Sequence, residues 1–406
     1  MDFRIATAQD TEAVKNLWAY CFETAEDPFF KYYFSKAYEP EHTMVGYDGE
    51  LLASMVHLRQ YTLHVRGAAL PVSYMVGVAT DPVARRGGIG GQLLLSSLEE
   101  LKQRGQGITI LMPSKAAFYQ QYGWELYAHQ WVQTMLLEEL RPLTDKTLQF
   151  GLLQSEEEWQ TLAPVYEAYT KGLSGYAIRG EKEWRRLLGS FFAEGVRVAY
   201  VADEAGQIEG YAVYRLGAEE IPVTEFVYTS RRAQKGLLNY LYNHRSQGSS
   251  IRWNEGLHDE SYIFHPNGKI GHTTMPYMMS RIVDVATAMA SVPVHIDSHW
   301  QHRPNVSEAG QYTFTLGVKD GLAGWNEGTY EITIQSDGTV QANKVADTIT
   351  AKAQVISEVG ALSLLLMGRL RASELVFEGK LTGDEAVVTM LDRLYPKQNT
   401  YINEWW

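Results

Sequence analysis

Thr80 to Leu94, TDPVARRGGIGGQLL, places four glycines and two arginines between a strand and a helix, and this limits the fold more than any other stretch. Upstream, Ala69–Ala79 is rich in β-branched and apolar residues, and its apolar run is too short for a core helix. Downstream, Leu93, Leu94, Leu98 and Leu101 recur at three- and four-residue spacing opposite Glu99, Glu100 and Lys102, which predicts an amphipathic helix to about Gly105. After a Gly-Gln-Gly turn, Ile108–Met112 reads as a second strand. The unit is strand, glycine turn, helix, strand. The helix N-terminus aims main-chain N–H groups at the turn, and the glycines let an anion approach the backbone.

Phosphate-binding patterns are told apart by the residues after their glycines. A P-loop needs Lys-Ser/Thr, and here Gly90-Gly91 is succeeded by Gln92-Leu93. A dinucleotide fingerprint needs a third glycine where Leu93 stands. Arg85-x-x-Gly88-x-Gly90 resembles the R/Q-x-x-G-x-G/A turn of the GNAT N-acetyltransferases, which holds the pyrophosphate of acetyl-CoA. Ser114 through Trp124 comes directly after the second strand. Its Phe118-Tyr119-x-x-x-Gly123-Trp124 is similar to the Phe-Tyr-x-x-x-Gly-Phe-like segment common at that place in the same family.

A chain of 406 residues suggests two or three domains. The start MDFRIATAQD lacks a basic, apolar leader, no stretch is long and apolar enough for a bilayer span, and Cys21 has no partner for an internal disulfide. A cytoplasmic protein with no membrane role is the expectation, with Cys21 a buried structural thiol. The formal charge of −12 argues against nucleic acid and suits a cationic substrate. His57, His64, His129, His258 and His265 show no metal-ligand spacing, so no metal is expected.

The chain divides into three segments. The first, about 1–145, opens with Phe3-Arg4-Ile5-Ala6 and an Asp10/Thr11 cap, and carries the aromatic run FFKYYFSKAY, expected mostly in a core with two or three rings free to line a pocket. The second, about 146–285, reads as a degenerate copy. Val196–Leu216 gives two strands, Pro222–His244 repeats strand, turn and helix, and Arg231–Gly236 keeps one glycine where the anion turn belongs. The third, about 286–406, has a hairpin at Ser336-Asp337-Gly338, helices around Ala353–Arg369 and Asp384–Leu394, and an extended tail, KQNTYINEWW.

The three parts in this order resemble the Eis (enhanced intracellular survival) acetyltransferases. The resemblance implies an α+β fold: two GNAT-like mixed-sheet domains, the second degenerate, then a sterol carrier protein-like domain. It also implies assembly as a homo-oligomer, a hexamer. By resemblance, the acetyl-CoA contacts fall on Val78, Ala79, Thr80, on Arg86, Gly87, Gly88, Ile89, Gly90 and Gly91, and on Ser114, with Arg85 adding charge. Tyr119 matches the proton donor, and the C-terminal carboxylate of Trp406 matches the base. The implied activity is acetyl transfer to a primary amine: an aminoglycoside, a small polyamine or a lysine. A non-catalytic acyl-CoA or lipid sensor is the competing expectation. Because only the first turn keeps its glycines, titration calorimetry should return one CoA per chain; two sites would mean that Arg231–Gly236 also binds phosphate.

Overall fold

In a computed structural model of the protein, residues 1–85, 87–217, 219–264 and 272–405 are described. Two candidate site residues, Arg86 and Trp406, lie outside them, as does His265. The first lobe runs β1 (Asp2–Ile5), α1 (Thr11–Cys21), α2 (Pro28–Tyr32), β2 (Thr43–Asp48), β3 (Leu51–Val65), β4 (Ala68–Thr80), α3 (Ile89–Gln103), β5 (Ile108–Leu111), α4 (Ala116–Gln120) and β6 (Glu125–Leu136). The expected Asp10/Thr11 cap is a different device. Asp10 accepts from Thr7 N at 2.7 Å and from both Arg4 nitrogens at 2.8 Å, so its carboxylate closes the turn before α1 rather than capping α1 itself.

The second lobe comprises β7 (Gln149–Leu152), α5 (Ala163–Thr170), β8 (Tyr176–Ala177), α6 (Glu181–Ala193), β9 (Arg197–Ala202), β10 (Ile208–Tyr214), β11 (Glu220–Tyr228), α7 (Arg231–Tyr242), β12 (Ser250–Gly256) and β13 (His272–Ile282). Arg231–Gly236, expected as a turn, forms the first turns of α7. The third part contains α8 (Val285–Ser291), β14 (Tyr312–Lys319), β15 (Gly328–Ile334), β16 (Val340–Ala346), β17 (Val355–Glu358), α9 (Val359–Met367), α10 (Ala372–Phe377), β18 (Leu381–Gly383) and α11 (Glu385–Leu394). The helix expected over 353–369 starts as β17, because Val355 and Ile356 pair in parallel with β14 before the chain turns helical. Every residue of α9 is buried, so it has no polar face to show a helical period.

The two lobes do not form separate sheets. Among the described residues, one sheet runs β1-β2-β3-β4-β5-β13-β6-β12-β11-β10-β9-β7, with β8 pairing on β3. Strand β13 of the second lobe lies between β5 and β6 of the first, and β6 lies between β13 and β12. Each lobe therefore completes its sheet with a strand from the other, which fixes their relative placement through backbone hydrogen bonds. The third part has its own five-stranded sheet, and α9 packs its apolar surface on β13 and β6.

Where β12 meets β6, Glu255 is buried, and Gln133, Tyr228 and Gln234 donate to its carboxyl. Burial, reinforced by Asp259, pushes its pKa up to about 8. In the unfolded chain Glu255 ionises near 4.5, so its favourable share of stability is complete below that pH and is lost as pH rises through about 8. Glu255→Gln should therefore gain on the parent as pH rises. Thermal unfolding at about pH 5 and about pH 8.5 checks this, and a gain equal at both would show that Glu255 is ionised in the fold.

Candidate active site

Strands β4 and β5 pair in parallel only over Ser73–Met75 and Thr109–Leu111. Beyond Met75, β4 continues to Thr80 while β5 has ended, so a gap opens between them. Gly77, at φ +60°, sits in this gap. A Cβ there would come within 2.4 Å of the Trp18 ring, so the chain needs glycine for both conformation and space. The β3–β4 register slips here, leaving Gly77 and Val78 outside the regular ladder on the gap side of the strand.

The glycine turn comes next. Gly88 is the N-cap of α3 at φ +74°, with no side chain to bond the first-turn N–H groups. Arg85 Nε folds back on the Thr80 carbonyl at 3.1 Å. In the second lobe, α7 starts differently: Ser230 is its N-cap, and its hydroxyl accepts from Ala233 N at 3.0 Å. The anion seat that α3 leaves open is occupied in α7 by the chain's own oxygen.

A cavity of about 450 Å³ lies over the turn. Val78, Ala79, Thr80, Arg85, Gly88, Ile89, Gly90, Ser114 and Tyr119 all face it. Gly91 is buried behind, where a Cβ would meet the Tyr122 hydroxyl at 3.0 Å, and Gly87 stands just ahead of the N-cap. Cys21, expected as a buried structural thiol, is instead a half-buried part of this wall. Ser114 and Tyr119 also line a second cavity, of about 270 Å³, formed by the β4–β5 gap. Tyr119 is buried in α4 among Leu93, Leu94 and Trp124, and burial pushes its phenol up to about 12.

Glu23 and Phe29 line both the second cavity and a third, of about 310 Å³, between the lobes. Five carboxylates (Glu23, Asp27, Glu183, Glu194, Glu404) and one guanidinium (Arg186) line it, together with Trp405 of the tail. From the aromatic run only Phe29 faces these cavities, while Phe30 and Tyr33 are core. The Tyr33 hydroxyl and His57 Nδ1 are 2.6 Å apart, and burial lowers His57 to about 3, so its imidazole stays neutral.

The tail reaches the third cavity along a buried path. Thr400 donates to the Tyr127 carbonyl at 2.8 Å, Tyr74 donates to the Glu404 carbonyl at 3.2 Å, and Trp405 sits edge-on to Tyr277 at 5.0 Å. Sequence reasoning missed Glu23, Asp27, Glu183 and Arg179. They lie in two short stretches, after α1 and on or near α6, that are far apart in the chain, and no spacing connects one stretch to the other.

Residues 2–127 match the acetyltransferase (GNAT) domain family, residues 175–282 match a second GNAT acetyltransferase domain family, and residues 298–403 match the sterol carrier protein domain family. The chain is 24% identical over 374 residues to an uncharacterised N-acetyltransferase of Streptomyces avermitilis, covering 84% of this chain and 82% of that one. A probable N-acyltransferase from Enterococcus faecalis V583 superposes with a TM-score of 0.85 at 22% identity, over 100% of this chain and 99% of the other. The chain carries two GNAT acetyltransferase domains and a sterol carrier protein-like third domain, and is a GNAT-type N-acetyltransferase. Over its whole length it has the fold of Eis1 from Mycobacterium abscessus, with a TM-score of 0.74 at 17% identity and 100% of both chains covered. Among the described residues no helix is long and apolar enough to cross a membrane.

Gly88→Asp puts a carboxylate at the mouth of the turn in a conformation that Asp tolerates, with nothing within 4 Å of the added Cβ. It should abolish acetyl-CoA binding in calorimetry while circular dichroism stays unchanged. Unaltered affinity would show that the glycines serve only packing.

Proposed function

We propose that the chain transfers the acetyl group of acetyl-CoA to a primary amine, in the first lobe only. The observation that carries this reading is the succession of three neighbouring cavities that share lining residues, from the glycine turn, past Tyr119, to the acid-lined chamber. In this reading the diphosphate lies against the N–H groups of Gly87–Gly91 with Arg85 or Arg86 beside it, and the pantetheine runs along Val78–Thr80 and Ser114. The thioester then sits in the gap between β4 and β5.

The acceptor enters through the third cavity, where five carboxylates favour a cationic amine: an aminoglycoside, another polyamine or a lysine. The amine attacks the thioester carbonyl, its N–C bond forms, and the C–S bond breaks. Tyr119 gives its proton to the departing thiolate. With a phenol pKa near 12 it stays protonated across the working pH range. The α-carboxylate of Trp406 takes the proton from the amine. A dry setting raises the basicity of such a carboxylate, and the apolar neighbours of Trp405 supply one.

The division at about 145 and 285, the cytoplasmic location and the hexamer belong to this proposal, as does the absence of metal, nucleic acid and membrane partners. Free-thiol release with a panel of amines tests the activity against the acyl-CoA or lipid sensor, which binds CoA without turnover.

Tyr119→Phe should lower kcat about 10²–10⁴-fold with acetyl-CoA affinity retained. Normal turnover would move the acid role to water or another group. Replacing the terminal carboxylate by an amide should also remove most of kcat, and full activity in the amide would end the assignment to Trp406.

A further inference from the structure

The second lobe repeats the strand gap of the first. Strands β11 and β12 pair in parallel only over Glu220–Val223 and Ser250–Trp253, yet run on to Tyr228 and Gly256. In the first lobe the equivalent opening is a cavity; here the chain's own tail is bound into it. Asn403 Nδ2 donates at 3.0 Å to the carbonyl of Thr224, the first β11 residue beyond the pairing. Gln130 donates to the Ile402 carbonyl at 3.1 Å and to Asn403 Oδ1 at 2.8 Å. Its own oxygen accepts at 3.0 Å from Asn254, the first β12 residue beyond the pairing. Gly256 leaves room for Tyr401, whose ring would stand 3.0 Å from a Cβ added there.

Arg179, two residues after β8, locks this arrangement. Its Nε donates to Glu404 at 2.8 Å, and a second nitrogen lies 2.8 Å from Glu225 of β11 and donates to the Asn403 carbonyl at 3.2 Å. All three charged side chains are at least 95% buried, and the guanidinium lies 4.1 Å from the Tyr166 ring centre. Burying two carboxylates with one cation is costly, and replacing such a group by apolar residues is often neutral or stabilising. The triad therefore adds little to stability, but it holds the tail in one place beside the acceptor cavity, into which Glu404 and Trp405 emerge.

We propose that the second GNAT lobe serves acetyl transfer as the seat of the tail, its co-substrate slot given over to residues 401–404. Arg179 is then a positioning residue that acts through Glu404 on the chain end. The proposal rests on the reading that the tail's end takes part in the transfer.

The test is a kinetic cycle. Removing Arg179 alone strands two buried carboxylates, so the variant is Arg179→Met with Glu225→Gln, made in the parent chain and in Glu404→Gln. In the parent, kcat should fall about tenfold to a hundredfold with the acetyl-CoA dissociation constant unchanged, because a misplacement of an ångström costs that much. In the Glu404→Gln background the same pair of changes should cost less than about twofold, as interacting sites are non-additive. Unchanged kcat with a lowered Tm, or an equal loss in both backgrounds, would overturn the proposal. If the double variant does not fold, Arg179→Lys, which keeps the charge and loses the fork, is scored by the same two criteria. The C-terminal amide separates the two ideas: an active amide ends the carboxylate-base reading, while the cycle still decides whether Arg179 acts through Glu404.

Discussion

The buried guanidinium of Arg281 ties the three parts of the chain together at one point. It projects from β13, the strand the second lobe inserts between β5 and β6. Its Nε donates to the Tyr122 carbonyl at 2.7 Å, and another nitrogen makes a forked pair with Asp320 of the third domain at 2.7 and 2.9 Å. Its carbon lies 5.1 Å from the centre of the Trp124 ring. Asp320 in turn receives the Leu322 and Ala323 N–H groups, which shapes the loop after β14. Losing one partner of such a pair costs about 3–5 kcal/mol, because the other charge is left buried and unpaired. The segment that carries Tyr119 is thus held from behind by a residue 159 positions later in the chain than Tyr122.

The two lobes show how one framework is put to different ends by a few local choices. Both have a parallel strand pair that parts midway, and both place a helix after the longer strand. The first caps its helix with Gly88 at positive φ and leaves main-chain donors for an anion; the second caps with Ser230 and satisfies its own donor. In the first the gap is a cavity of about 270 Å³, and in the second it holds residues 401–404 through Thr224, Gln130 and Arg179.

Charge in the third cavity comes from several separate regions. Glu23 and Asp27 come after α1, Glu183 and Arg186 lie on α6, Glu194 closes α6, and Glu404 arrives with the tail. Most of these carboxylates already serve the fold: Glu23 accepts from Trp18 Nε1 at 2.7 Å, Asp27 caps α2, and Glu194 pairs with Arg215. The carboxylates that line the cavity are thus mostly side chains that the fold already anchors.

The order of the parts, the glycine turn at Arg85–Gly91, the β4-α3-β5 unit and the loss of glycine in the second copy were legible in the sequence. Each depends on residues adjacent in the chain, where turn chemistry and periodicity act directly. Where a local pattern met a tertiary partner it misled: Val355 and Ile356 entered a strand because β14 offered a ladder, and α9 lost its period because it is buried on all sides. The exchange of β6 and β13 between lobes, the acid-lined cavity and the Arg179–Glu225–Glu404 triad had no sequence signature. Their members are brought together only by the folded sheet, in the triad from positions as far as 225 residues apart, and sequence spacing carries no information about such a meeting. The chain by itself determined the glycine turn that leaves backbone donors open; the folded sheet alone decided which side chains line the cavities beside it.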